Sequence, residues 1–187
     1  MMIGMLAEPG QIGEPMLDLR AFVTSTSFFG GLDAKTVDAL LAMLKEHRVA
    51  AGQKLFCEGD TANSMYIVRE GALVMQRHCS VAPDDEARLL MMRPGDFFGV
   101  TSLIEMEPRP FSCVAEKDSL LYELTNRDLY ALYKADQKAY VLVLQNINRE
   151  LCRRIRKAGD RIASLEHSLR VAHAAPQSTE RGSKGGS

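Results

Sequence analysis

Pro94-Gly95-Asp96-Phe97-Phe98-Gly99-Val100, followed by Leu103 and then Pro108-Arg109-Pro110-Phe111-Ser112, decides how this chain folds. Pro94-Gly95-Asp96 reads as a turn, and Gly99 lets the backbone approach something closely. Val100 and Leu103, flanking Thr101 and Ser102, predict a short apolar helical turn. A lone arginine then stands between two prolines. An arginine whose surroundings are fixed in this way suits a planar, bidentate grip on a phosphate.

Outward from this stretch the pattern is that of a small antiparallel roll. Between Gly52 and Leu124, short Val/Ile/Leu/Met/Tyr runs alternate with Gly, Pro, Asp and Asn turns. Helical periodicity flanks it, over 34–46 (Val37, Leu40, Leu41, Leu44) and again over 127–171. A chain of 187 residues, 46% hydrophobic, can bury one core. The fold class expected is α+β.

The chain resembles the cyclic nucleotide-binding domains of the catabolite activator protein family and of cyclic-nucleotide-dependent kinases. The resemblance runs from Phe28 to Leu165. Its marks are Phe28-Phe29-Gly30-Gly31-Leu32 as an entry helix, Glu58-Gly59-Asp60 as a turn, Met65–Val68 with Gly71–Val74 as a central hairpin, and Pro94–Ser112 as the phosphate-binding cassette. It implies a jelly-roll-like antiparallel β-roll with N-terminal helices and a long C-terminal dimerisation helix. The expected divisions are a flexible arm over 1–20, the β-roll domain over 21–135, the dimer helix over 136–172 and a disordered tail over 173–187. It also implies a ligand-binding set of Gly99, Val100, Thr101, Ser102, Leu103, Arg109, Pro110 and Ser112, with Arg109 pairing with a cyclic phosphate.

Three departures from the family pattern follow, two within that set and one in the long helix. Val100 stands where the family has a glutamate for the ribose 2′-hydroxyl, and losing such a charged partner costs roughly 1.5–3 kcal/mol. Pro110 has no N–H to offer the phosphate. When Leu151-Cys152-Arg153-Arg154-Ile155 is aligned with the family's leucine-and-arginine signature, Ala158-Gly159 fall where polar residues cap the purine. Tight binding of cyclic AMP in the usual pose is therefore not expected, and an enlarged, less polar pocket would suit a cyclic dinucleotide. The alternative for Arg109 is a structural ion pair with Glu105 or Glu107. Ser112 is a further hydroxyl candidate.

The terminal helix carries its own signal. Val141, Leu144, Asn148, Leu151, Ile155, Ala158, Ile162, Leu165 and Leu169 recur at alternating spacings of three and four. Val141, Asn148, Ile155, Ile162 and Leu169 fall at position a, and Leu144, Leu151, Ala158 and Leu165 at d. This predicts a parallel two-stranded coil and a homodimer through Leu151, Ile155, Ala158, Ile162, Leu165 and Leu169. The turns at Val141 and Leu144 are expected to pack on the chain's own roll. Gly159 is either a tolerated weak point or a hinge, at roughly 1 kcal/mol relative to alanine.

Other classes find little support. Net charge is −1, with no global pull toward nucleic acid. The basic residues Arg149, Arg153, Arg154, Arg156, Lys157 and Arg161 are interrupted by Glu150, Asp160 and Glu166. No apolar run approaches ~20 residues, so no membrane span is expected, and no secretion signal opens the chain. Cys57, Cys79, Cys113 and Cys152 lack paired spacing and read as buried or half-buried thiols in a cytoplasmic protein. His78-Cys79 and Asp84-Asp85-Glu86 read as hairpin-loop residues. No catalytic triad, metal cluster or P-loop is found, so neither an enzyme nor a resident cofactor is expected. The segment after the helix reads as a Gly/Ser/Lys tail rather than a helix-turn-helix. The function expected is a dimeric sensor of a nucleotide second messenger that signals through protein contacts with a partner of unknown identity. The alternatives are a ligand-free scaffold or the sensor fragment of a transcription regulator.

Overall fold

Two long antiparallel strands, β3 (Ser64–Cys79) and β6 (Ser112–Thr125), pair from Ser64↔Thr125 to Gln76↔Ser112 and carry the rest of the sheet. The computed structural model describes residues 14–79 and 82–174. β1 (Lys45–Val49) and β2 (Lys54–Phe56) both pair with β6. β4 (Ala82–Met92) and β5 (Phe97–Phe98) both pair with β3. The result is an antiparallel β-roll with helices before and after it, in an α+β fold.

Side chains alternate along β3, so Tyr66, Val68, Leu73 and Met75 join Met92, Phe98, Cys113, Ala115 and Leu121 in one apolar core. Phe97 meets Phe28 of the N-terminal region edge to face, with centroids 5.4 Å apart. Three connections are tighter than expected. Met65–Val68 and Gly71–Val74 are not the arms of a hairpin but parts of the single strand β3. Its register shifts around Glu70 and Ala72, and Gly71 takes φ +88°. A β-carbon at Gly71 would lie 2.2 Å from Ser119 Oγ, so the strand bends there without ending. Likewise Cys113–Ala115 and Leu120–Leu124 belong to one strand, β6. His78 and Cys79 end β3, and Asp84–Glu86 lie in β4, so none of them sits in a loop.

The N-terminal elements depart from the sequence reading because tertiary contacts override local pattern. Residues 14–20, expected in a loose arm, open α1 (Glu14–Ser25), where Asp18 pairs with Arg69 and Phe22 lies 4.5 Å beneath that guanidinium. Residues 1–13 lie outside the described residues. α2 (Ala34–Leu41) starts on an Asp33 cap that accepts from Thr36 N at 2.8 Å. It stops before the expected end at 46, because 45–49 are taken up as β1 against Ser119–Glu123.

After β6, a Thr125–Asp128 capping box starts α4 (Asn126–Ala135). Asp136 breaks the helix and then accepts from the amides of Lys138 and Ala139 at 3.0 Å to start α5 (Gln137–Ala174). The chain divides into two compact units between Ile147 and Asn148. In the first unit, α5 buries Ala139, Val143, Asn146 and Ile147, while Val141 is exposed. The turns at Val141 and Leu144 are thus buried through Val143 and half-buried Leu144, with Val141 itself exposed. Asn146 Nδ2 donates to the carbonyls of Phe28 and Gly30 at 3.0 and 2.8 Å and holds the entry turn. In the second unit, Glu150 pairs with Arg153 and Arg154, and the helix continues through Gly159 without a break. The tail beyond Ala174 lies outside the described residues.

Candidate functional site

The site is assembled where the loop carrying Arg109 crosses the turn after β2. Pro108 and Pro110 have no amide hydrogen, so Arg109 supplies the only backbone N–H of the tripeptide. That N–H donates to Asp60 O at 2.8 Å, and Gly59 N returns a bond to Arg109 O at 2.9 Å. Asp60 in turn accepts from Cys57 N at 2.7 Å, which stiffens the turn. The arginine backbone is thus clamped on both sides before its side chain is considered.

Arg109 extends inward and is only 4% exposed. Nη2 donates to Ser64 O at 2.8 Å and Ser64 Oγ at 3.3 Å, and Nη1 donates weakly to Gly99 O at 3.4 Å. The guanidinium lies 4.3 Å from the Phe56 ring centroid and 5.7 Å from that of Tyr66. Burial pulls its pKa down, against the raising effect of Tyr66, Cys113, Glu123 and Asp60. Every acceptor in contact with it is neutral. Among the described residues no carboxylate lies within ion-pair distance of Arg109, so the expected alternative of a pair with exposed Glu105 or Glu107 is not formed.

The cassette wraps this guanidinium. Gly99 follows β5 with φ +82° and leads into α3 (Val100–Glu105). α3 ends at Met106, the one non-glycine with positive φ among the described residues, at +57°. Ser102 is 1% exposed and its Oγ has no hydrogen-bond partner. Buried hydroxyls are normally satisfied, so this one is an unexplained donor and acceptor in the cassette.

The other predicted ligand residues divide. Val100 and Leu103 are buried apolar side chains, Thr101 is half-buried and Pro110 is exposed. Ser112 Oγ accepts from Glu58 N at 3.0 Å, which leaves its O–H as a donor. The cysteine reading holds for Cys113, whose thiol burial pushes up to about 12 against the lowering effect of Arg109. Cys57 and Cys152 are exposed instead, since each stands on the outside of its turn or helix. The Cys79 side chain lies outside the described residues. Among the described residues no group of His, Cys, Asp or Glu could hold a metal ion, and no helix is long and apolar enough to cross a membrane.

Four neighbours of Arg109 escaped the sequence reading: Phe56, Ser64, Tyr66 and Glu123. They sit on three strands, and no motif spacing joins them.

Comparison with known proteins places this geometry. The cyclic nucleotide-binding domain profile matches residues 46–136. The chain is similar to the cyclic AMP receptor protein of Thermus thermophilus, 31% identical over 78% of this chain and 66% of that protein. A crystal structure of the Thermus thermophilus catabolite activator protein superposes with a TM-score of 0.64 at 29% identity, covering 75% of this chain and 63% of that one. A cAMP-dependent protein kinase regulatory subunit of Yarrowia lipolytica is 28% identical over 59% of this chain and 28% of that protein. The chain spans less than two thirds of the length of each of these relatives.

Proposed function

Because residues 46–136 are a cyclic nucleotide-binding domain, we propose that the chain senses a nucleotide-type second messenger held by its phosphate at Arg109. The observation that carries this reading is the charge of that residue. A buried guanidinium whose hydrogen-bond acceptors are all neutral, with Glu123 and Asp60 acting on it only from beyond ion-pair distance, has no direct counter-ion, and this favours a bound anion. A phosphate supplies the missing charge and matches the fork geometry of arginine. The unpartnered Ser102 hydroxyl offers a second polar contact in the same cassette.

Val100 offers the ribose 2′-hydroxyl no side-chain hydrogen bond and Pro110 offers the phosphate no amide, so cyclic AMP is not the ligand in its usual pose. A cyclic dinucleotide is the other ligand class to test. The output is a homodimer through α5 that presents a surface to a protein partner. Ile155, Ile162, Leu165 and Leu169 support this, with Ile155 70% exposed on a helix too polar on its other faces to bury them unaided. The second reading is a ligand-free scaffold, favoured by the contacts Arg109 already makes with Ser64, Gly99 and Phe56. Calorimetric titration with cyclic AMP, cyclic GMP and cyclic dinucleotides separates the two: heat of binding supports the sensor, and none with any of them supports the scaffold.

A further inference from the structure

Behind Arg109 a single line of hydrogen bonds runs across the roll. Arg109 Nη2 donates to Ser64 Oγ at 3.3 Å. Ser64 Oγ donates to the Tyr66 hydroxyl at 3.2 Å, which donates to Glu123 Oε1 at 3.4 Å. Glu123 Oε2 lies 3.0 Å from His47 Nε2. Every proton along this line points from the guanidinium toward the carboxylate, which can only accept. Ser64 Oγ therefore keeps a lone pair turned to Arg109 so long as its own proton is occupied by Tyr66.

Tyr66 meets the guanidinium by a second route as well. Its ring is stacked on Phe56, at 6.2 Å between centroids and 27° between planes, and Phe56 is the aromatic face lying closest to Arg109. Hydroxyl and ring thus act on the same side chain, one through Ser64 and the other through Phe56. Burial raises the Tyr66 phenol pKa, so the hydroxyl stays protonated and remains a donor to Glu123.

We infer that Tyr66 is a positioning residue that sets the orientation of the Arg109 guanidinium for its anionic ligand while not touching that ligand itself. This rests on the proposed role of Arg109 as the phosphate anchor. Tyr66→Phe removes the hydroxyl and keeps the stacked ring, so folding is spared. A neutral hydrogen bond is worth about 0.5–1.5 kcal/mol, so the variant should bind the cyclic nucleotide roughly two- to tenfold more weakly.

The test is a double-variant cycle by calorimetry with the best-binding cyclic nucleotide: the unmodified chain, Tyr66→Phe, Arg109→Lys and the pair, with melting temperatures as a folding control. The expected result is a loss for Tyr66→Phe alone that falls below twofold in the Arg109→Lys background. Equal affinity of Tyr66→Phe and the unmodified chain would overturn the inference, and so would an equal loss in both backgrounds. Absence of binding by the unmodified chain would instead remove the anchor reading on which it rests. Should Arg109→Lys bind too weakly to measure, the ¹H–¹⁵N signal of Arg109 Nε in the ligand-free protein decides. It should shift or broaden in Tyr66→Phe, and an unchanged signal would overturn the inference.

Discussion

A β-carbon on residue 99 would lie 2.6 Å from Arg109 Nη1, so the left-handed glycine and the buried guanidinium occupy their places only together. Gly99 is also 3.1 Å at that point from the Ser64 carbonyl, the shorter of the two backbone acceptors of Arg109. The cassette glycine is thus a spatial requirement of the arginine as well as a turn residue.

Gly99→Ala should therefore fail twice. The φ of +82° strains any side chain and the methyl displaces Arg109. We expect a stability loss of about 1–3 kcal/mol in urea unfolding, and an affinity for cyclic nucleotide lowered at least roughly tenfold.

Arg109→Met should separate stability from binding. It relieves the desolvation of a buried charge, which offsets the cost, about 1–3 kcal/mol, of leaving the carbonyls of Ser64 and Gly99 without that donor. Unfolding free energy is expected to stay within about 1 kcal/mol of the unmodified chain, while ligand affinity falls by roughly a hundredfold or more.

Val100, 1% exposed and apolar, gives the ribose nothing to bond. The 2′-deoxy form of a bound cyclic nucleotide should bind within about threefold of the ribose form, since no hydrogen bond of about 0.5–1.5 kcal/mol is lost. A tenfold preference for the ribose form in competition binding would contradict this.

Cys113 sets a limit at high pH. Its folded pKa, pushed up to about 12, lies above the ordinary thiol value of about 8.5. Below ~8.5 the thiol is protonated in both states and its contribution is fully present. Above ~8.5 the unfolded chain loses the proton while the folded one keeps it, so stability falls by up to about 1.4 kcal/mol per pH unit until the folded pKa is reached. Melting temperature between pH 9 and 11 should decline less steeply in Cys113→Ala than in the unmodified chain.

On α5, Ile155→Glu with Ile162→Glu should give monomers by light scattering, because both positions lie on the exposed apolar stripe. A dimer that survives both changes would place the interface elsewhere.

Much of this was legible in the chain because glycines mark geometry directly. Gly59, Gly95 and Gly99 sit at the turns assigned to them and all take positive φ. Arg109 was legible because its flanking prolines isolate it. Gly71 misled: it interrupts an apolar run as a hairpin turn would, yet pairing with β6 carries the strand through it. α1 and β1 were hidden because their partners, Arg69 and Ser119–Glu123, lie far along the chain. Tyr66, Ser64 and Glu123 were hidden for the same reason, since a hydrogen-bond line spanning two strands has no sequence period. The bond from the Glu58 amide to Ser112 Oγ was hidden too, because it joins residues far apart in the chain.

Calorimetric titration of the unmodified chain beside Arg109→Met, with cyclic AMP, cyclic GMP and cyclic dinucleotides, addresses the anchor most directly. At least one ligand should bind with a Kd below ~100 μM, or about −5.5 kcal/mol, and that heat should vanish in Arg109→Met. No binding by the unmodified chain, or equal binding by the variant, would contradict it.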